Sequence, residues 1–334
     1  MHSRVRYTWV RVSRFALRNH LERTRAESFA FVVASTAIAI GTLVAVSWVA
    51  GFDHVLFRLR AVDPVWFATA FVAQVIAYVG YVLAYREVAR VEEGCDMPTR
   101  RLLAAVTAGF GPFVARGGFA VDVHAFKAAG LSDHEVRVRV LGLGALEYAL
   151  LAPAACVVAI QLLADGHSPS LGLTLPWAIA VPLGFAAALW AVERRDAFRA
   201  HGGRRRHLAG MLDSIHVLKT LFVQPRHVLG PLGSAIYWFG DILCLWACLQ
   251  AFTHGTPNIS LLLLGYATGY ALTRRTLPLG GAGAVEALLP FALSWCGISL
   301  AAAVLAVFAY RVFNLWLPIV PAAIGLRSLK AEAA

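Results

Sequence analysis

The residues with the clearest chemical potential interrupt an apolar stretch near the C-terminus. Residues 274–286 read RRTLPLGGAGAVE, which places two arginines, a proline, three glycines and a carboxylate together. The N–H groups at a helix start attract anions, glycines let a ligand approach the backbone, and arginine offers paired donors to phosphate oxygens. A helix beginning near Ala284 would therefore create a phosphate-binding turn. The candidate residues here are Arg274, Arg275, Gly280, Gly281, Gly283 and Glu286.

Glu286 and two downstream residues have alternative roles that the sequence leaves open. Glu286 could pair with an arginine, contact a cationic group, carry a proton, or cap its own helix. Arg311 and Asn314 lie in the next apolar run. Arg311 could pair with Glu286, extend toward the membrane surface, or contact a ligand directly.

An earlier segment, GPFVARGGFAVDVHAFKAAGLS, resembles the C-terminal one. Each segment contains a glycine pair, a later acid and a Gly-x-Ser sequence, and each precedes a long apolar run. Paired, glycine-interrupted segments in the two halves of a chain are typical of a transporter's binding site. The spacings differ, so an internal repeat, and its inversion, remain hypotheses. The candidate residues of this segment are Arg116, Gly117, Gly118 and Asp122.

Composition identifies the elements that must position these residues. The chain is 59% hydrophobic and 15% charged, with a mean hydropathy of +0.66. A bilayer core needs roughly 20 apolar residues per spanning helix. We therefore predict an all-α polytopic membrane bundle of about eight segments, two of them interrupted or re-entrant at about 102–121 and 259–297. The uninterrupted runs are about 29–52, 64–85, 141–164, 173–192, 231–252 and 299–326.

The net charge of +11 could indicate a nucleic-acid partner. The positive residues are, however, concentrated before the first run and in the loop at about 193–230. This distribution indicates cytoplasmic segments of an inner-membrane protein rather than a nucleic-acid surface. The arginines either set the topology alone or also recognise lipid. We expect a basic N-terminal segment at 1–28, a transmembrane domain at 29–328 and a tail at 329–334.

The sequence suggests no metal, cofactor, disulfide or catalytic residue. Most of the five cysteines lie in apolar runs, and the chain has no GxxxxGK[ST] loop for direct ATP use. His124, Asp122 and Glu135 lack metal-ligand spacing. An amphipathic cytoplasmic helix over 122–140 explains them instead. The oligomeric state is not indicated.

Residues 280–326 resemble the C-terminal signature of the lysylphosphatidylglycerol synthase transmembrane family, also called the flippase-like or UPF0104 group. The motif Gly-Gly-x-Gly-x-x-Glu falls on 280–286, and a Tyr-Arg pair follows at Tyr310 and Arg311. The order of apolar segments extends the resemblance to about 27–328. The family commonly has proline directly before the glycine pair, where this chain has Leu279 after Pro278.

The resemblance implies a module that moves or binds a phospholipid across the inner membrane. We expect a lipid flippase or lipid-binding transporter that acts on an anionic or aminoacylated phospholipid or on a polyprenyl-linked lipid. Similar proteins flip aminoacylated phosphatidylglycerol and carry a soluble aminoacyl transferase domain. Only RSLKAEAA follows the last run here, so we expect no lipid synthesis and no enzyme activity. The alternative is a non-transporting subunit that scaffolds or regulates a partner enzyme of envelope-lipid or polysaccharide metabolism. A membrane enzyme is a weaker third hypothesis.

Overall fold

The protein is a bundle of α-helices, seen in a computed structural model. Within the residues that the structure describes, every regular element is helical and none is a strand. This confirms the predicted all-α membrane fold. The described residues are 25–60, 62–112, 118–194, 204–253, 255, 257–270 and 278–333. The candidates Arg116, Gly117, Arg274 and Arg275 lie outside these ranges.

Thirteen α-helices follow one another in the described ranges. A 3-10 turn (Pro225–His227) precedes α9, and a π-helical turn (Val312–Trp316) joins α12 to α13. The helices are α1 (Arg25–Ala50), α2 (Phe52–Arg60), α3 (Val65–Arg90), α4 (Thr99–Phe110), α5 (Gly118–Ala128), α6 (Asp133–Ala164), α7 (Leu171–Glu193), α8 (Arg204–Val223), α9 (Leu229–Gln250), α10 (Ile259–Tyr270), α11 (Ala284–Trp295), α12 (Leu300–Arg311) and α13 (Ile319–Ala333).

Six segments of the described chain are long and apolar enough to cross a membrane, and they match the six uninterrupted runs. The two glycine-containing segments instead form pairs of short helices, α4 with α5 and α10 with α11. Each short helix has 11 or 12 residues. Such a helix rises only about 18 Å, less than the bilayer core of about 30 Å. The helices of each pair pack against each other. We call them the first hairpin and the second hairpin.

The structure corrects the prediction of an amphipathic helix over 122–140. The chain turns between α5 and α6 at Gly130, whose φ of 91° lies in the left-handed region. Ser132 then caps α6, and its side chain and that of Glu135 each accept a hydrogen bond from the other's backbone N–H. Residues 133–140 therefore begin a spanning helix, and Asp122 is fully buried in α5.

The centre of the bundle is the close packing of α3 on α9. A Cβ atom added at Gly80 would lie 2.6 Å from the carbonyl oxygen of Gly233, and one at Gly240 would lie 2.6 Å from that of Ala73. The contact nearer the start of α3 is nearer the end of α9, so the two helices are antiparallel. Small residues at the crossing allow the backbones to approach, as is common between membrane helices.

The antiparallel pair relates two halves of similar order. In each half a central helix is followed by a hairpin, a short turn that contains one glycine, and a long helix with a serine N-cap. These serines are Ser132 and Ser299, and the glycines before them, Gly130 and Gly297, have φ of 91° and 90°. Because α3 and α9 run in opposite directions, the hairpins that follow them start at opposite ends of the bundle. An inverted repeat requires this opposite direction, and the repeat itself stays a hypothesis.

The two halves also pack across each other. The first hairpin's α4 lies against α13, where Gly325 approaches Ala104 and Thr107. The second hairpin's α10 lies against α6. The cytoplasmic candidate α8 packs on α6 near its start, with His134 and Asp213 3.5 Å apart. The bundle is therefore interlocked, and neither hairpin is held by its own half alone.

Gly80→Ala should destabilise the protein, because the added methyl group meets backbone atoms at the α3 and α9 crossing. Overpacking of this kind costs about 1–3 kcal/mol. Gly41→Ala on α1 is the matched control, since a Cβ there meets nothing within 4 Å. The control should be neutral or stabilising by about 0.5–1 kcal/mol. Thermal unfolding in detergent measures both, and equal melting temperatures would contradict the close crossing.

The topology predicts opposite exposure for α8 and for the turn between α6 and α7. In a background without the five native cysteines, Met211→Cys and Asp165→Cys are each exposed positions. A membrane-impermeant maleimide applied to intact cells should label Asp165→Cys and spare Met211→Cys. Permeabilised cells, in which both should react, provide the control. Labelling of Met211→Cys from outside would reverse the orientation.

Candidate functional site

The turn before α11 adopts a left-handed backbone that explains its glycines. Gly280, Gly281 and Gly283 have φ of 65°, 71° and 87°. Space is also limited, because a Cβ at Gly283 would lie 2.8 Å from Cγ2 of Ile38 on α1. Leu279 shares the left-handed conformation with φ of 59°, which is strained for a bulky residue. The glycine turn is thus pressed between α1 and the end of α12.

Glu286 lies in the first turn of α11 and is fully buried. Its Oε2 accepts a hydrogen bond from the backbone N–H of Gly283 at 2.7 Å, and its Oε1 accepts one from Nε of Arg311 at 2.5 Å. One carboxylate therefore caps its own helix and pairs with an arginine. The structure shows these two alternatives together.

Arg311 ties the glycine turn to the last long helix. Its side chain is 1% exposed. Besides the pair with Glu286, Nη2 donates to the carbonyl oxygen of Gly280 at 3.1 Å, and Nη1 donates to Oδ1 of Asn314 at 3.4 Å. Arg311 therefore provides a hydrogen-bond donor for the Gly280 carbonyl, which the interrupted helix leaves without a backbone partner.

Asp241 on α9, which was not among the residues predicted from sequence, joins this cluster. The carboxylate accepts hydrogen bonds from Nδ2 of Asn314 at 3.0 Å, from Oη of Tyr310 at 2.5 Å, and from Oη of Tyr266. The π-helical turn places Asn314 inward, toward α9; such turns are frequent at functional sites. The signal was available, since Asp241 is an ionisable residue within an apolar run.

The first half contains a smaller buried polar group at the equivalent place. Glu147 on α6 accepts a hydrogen bond from Oη of Tyr81 at 2.6 Å. Its backbone carbonyl accepts another from Nε1 of Trp238 at 2.8 Å. Glu147 lies as far beyond Ser132 as Asn314 lies beyond Ser299. Each half therefore links its central helix to its long helix by a buried hydrogen bond between side chains.

Asp122 belongs to the first half's interior. It is fully buried on α5, where its carboxylate lies beside Tyr85 and near Glu147. Gly118, the start of α5, is also buried. The candidates of the two hairpins therefore do not form one cluster, since Asp122 faces α3 and α6 while Glu286 faces α12.

The buried cluster around Arg311 consists of acids, an amide and tyrosine hydroxyls joined by hydrogen bonds. Within the described part of the chain, no set of three or more His, Cys, Asp or Glu side chains could hold a metal ion. Glu286 occupies the helix N-terminus where we expected a phosphate. An anion could bind there only by replacing or joining that carboxylate, because one anion already balances Arg311.

Arg311→Ala should destabilise the protein strongly, by about 3–5 kcal/mol, because it leaves the buried Glu286 charge without its partner. Arg327→Ala, at an exposed position on α13, should change stability by less than about 0.5 kcal/mol. The double variant Glu286→Gln/Arg311→Met, which removes both charges, should recover much of the loss. Thermal unfolding in detergent tests the series. An Arg311→Ala protein as stable as the Arg327→Ala control would show that the pair does not hold the turn.

A family model described as the lysylphosphatidylglycerol synthase TM region matches residues 32–322. A search of curated proteins gave no match. The matched range includes both hairpins and contains the glycine turn, Glu286, Arg311 and Asn314. The chain belongs to the lysylphosphatidylglycerol synthase transmembrane family.

Proposed function

We propose that this protein binds an anionic or aminoacylated phospholipid, or a polyprenyl-linked lipid, and moves it between the leaflets of the inner membrane. The observation that carries the proposal is the pair of interrupted hairpins starting from opposite ends of an inverted bundle. Substrate sites of many transporters lie where such broken helices meet buried charge. The proposal involves no chemical conversion of the lipid and no cofactor.

The second hairpin supplies the groups that we propose contact the head group. Arg311 carries a forked guanidinium, and the glycine turn presents backbone at the N-terminus of α11. We propose that the lipid phosphate competes with the Glu286 carboxylate for Arg311, so that one anion replaces another. Such an exchange would keep the arginine charge balanced throughout, which limits the cost of burying it. Arg274 and Arg275 remain candidate contacts on the same segment.

The proposed orientation places the N-terminus and the loop at about 193–230 in the cytoplasm, as the basic residues predict. The first hairpin would then re-enter from the cytoplasmic side and the second from the opposite side. Each would present its interruption within the membrane, where non-helical backbone is tolerated only if protein or a wet cavity surrounds it.

A closed interior favours a second candidate function. Glu286, Arg311 and Asp241 are at most 1% exposed, whereas a transporter open to either side should present such groups to a polar cavity. A scaffold for a partner enzyme of envelope-lipid or polysaccharide metabolism would have no need of that cavity. The transport proposal therefore requires this conformation to be an occluded one.

Reconstitution into liposomes tests the proposal. Fluorescent phosphatidylglycerol in the outer leaflet is quenched chemically, and the fraction protected from the quencher reports movement between leaflets. The parent protein should move at least one anionic or aminoacylated lipid faster than protein-free liposomes do. No movement of any lipid class would favour the scaffold.

Three variants test the site within the same assay. Glu286→Gln removes the competing charge, Arg275→Ala removes a candidate donor, and Gly281→Val forces a β-branched residue into φ of 71°. Arg275→Ala should slow transport about tenfold or more, the effect expected for losing a hydrogen bond to a charged group. Gly281→Val should slow it by obstructing approach to the backbone, and Glu286→Gln should slow lipid release, because no carboxylate then takes the phosphate's place on Arg311. Gly41→Val, in open space on α1, is the control. Parental rates in all three folded variants would remove the head-group assignment.

A further inference from the structure

Three imidazole–carboxylate contacts hold α8 and the 3-10 turn after it to the rest of the bundle. They lie at the end of the bundle where α3 ends and where α6 and α9 begin. The contacts are His134–Asp213 at 3.5 Å, His216–Glu92 at 3.6 Å and His227–Glu87 at 3.1 Å. Together they join α8 and its following turn to α6, to α3 and to the turn after α3.

The contact between His227 and Glu87 is buried, with side chains 8% and 6% exposed. Nε of Arg226 donates to Nε2 of His227 at 3.2 Å and to Oε1 of Gln224 at 2.9 Å. Arginine has no acceptor, so Nε2 must accept and Nδ1 must carry the hydrogen that is donated to Glu87. This imidazole is therefore neutral here, and the contact does not depend on a gained proton. We call it the anchor.

The other two contacts are exposed and line one polar pocket of about 320 Å³. The side chains of His134 and His216 are 60% and 38% exposed. Glu135 and Arg139 of α6 also line the pocket. Glu135 accepts from a backbone N–H, and Arg139 donates to two backbone carbonyls at the end of α3. Of these side chains only imidazole ordinarily changes its charge near neutral pH. We call the two exposed contacts the latch contacts.

An unusual turn places one acid of the latch contacts. Glu92 and Glu93 have φ of 52° and 54°, a left-handed conformation that few residues other than glycine adopt. Such a conformation persists only where the surrounding structure holds it. Here it presents the Glu92 carboxylate to α8. The turn after α3 and α8 are thus fitted to each other.

The apolar side of α8 has two places in which it is removed from water. Leu212, Val217 and Leu221 are buried against the bundle, whereas Met211 and Phe222 are 54% and 47% exposed. A helix with apolar and charged side chains is also stable at a membrane surface. Because both positions bury apolar residues, much of the hydrophobic free energy cancels between them. The charged contacts then decide which position is favoured.

We infer that α8 is a pH-dependent latch, fixed at one end by the anchor and closed by the latch contacts when their imidazoles carry a proton. An imidazolium attracts each carboxylate and a neutral imidazole does not, so docking of α8 weakens as pH rises. Docked α8 clamps two helices, because Val217 packs on Gly142 of α6 and Leu221 packs on Gly230 of α9. The latch therefore regulates the end of the bundle from which the first hairpin starts. In the proposed orientation it senses cytoplasmic pH.

Distances between paired spin labels test the docking of α8 in nanodiscs. In a background without the five native cysteines, Met211→Cys on α8 and Arg137→Cys on α6 are exposed positions for the labels. From about pH 6 to about pH 8 the ratio of docked to undocked distances should fall about fivefold, the factor expected for losing two exposed ion pairs. Labels at Arg137→Cys and Asp165→Cys, near the two ends of α6, provide the control distance, which should not change.

Charge variants separate the latch from simple packing. His134→Gln/His216→Gln should remove the pH dependence, and His167→Gln, an exposed histidine beyond the other end of α6, should keep it. His216→Lys holds a positive charge opposite Glu92 at both pH values, so α8 should stay docked at about pH 8. An unchanged distance ratio between the two pH values, or an equal change in the double variant, would overturn the latch.

The inference goes beyond the proposed function, because the label distances involve no lipid movement. A pH-dependent distance that the double variant abolishes would support the latch even in a protein that moves no lipid, and transport alone would then be refuted. Lipid movement by a protein whose label distance ignores pH would overturn the latch and leave transport standing.

Discussion

Backbone polar groups inside a membrane must find their partners within the protein, and this requirement explains the composition of the glycine turn. Interrupting a helix releases carbonyl and N–H groups that water cannot reach. Arg311 donates a hydrogen bond to the carbonyl oxygen of Gly280, and Glu286 accepts one from the N–H of Gly283. Because a single arginine or glutamate buried alone would be too costly, each neutralises the other. The ion pair is therefore a condition for having a broken helix at this place.

The antiparallel crossing of α3 and α9 gives the broken helices their positions. Close approach at Gly80, Gly233 and Gly240 fixes two similar halves in opposite orientation. Because each hairpin follows its central helix, the first and second hairpins must start at opposite ends of the bundle. The halves differ in chemistry, because the acid of the buried link is on the long helix in one, at Glu147, and on the central helix in the other, at Asp241.

Local signals in the sequence predicted much of the fold. The apolar runs located every long helix, although α6 begins at Asp133, well ahead of the run at about 141–164, and the glycine pairs marked both interruptions. The helix predicted over 122–140 was wrong because Gly130 ends one helix in a left-handed turn and Ser132 caps the start of the next. The α3 and α9 crossing could not be predicted, since its contacts join residues far apart in the chain. For the same reason Asp241 could be recognised as unusual, but its hydrogen-bond donors could not be identified.

A lipid imposes two opposite demands on a protein that binds it, since its chains favour apolar surroundings and its phosphate favours fixed charges and dipoles. A continuous spanning helix satisfies only the first demand. The region around α3 and the π-helical turn has both environments within a short distance, since an apolar groove is lined by Val79 and Phe313 and the Asp241 carboxylate lies behind Gln74. The boundary between them is the neutral amide of Gln74, which interacts with Asp241 without adding a second buried charge. That placement lets the polar interior remain closed in the described conformation while the apolar groove stays open to the bilayer.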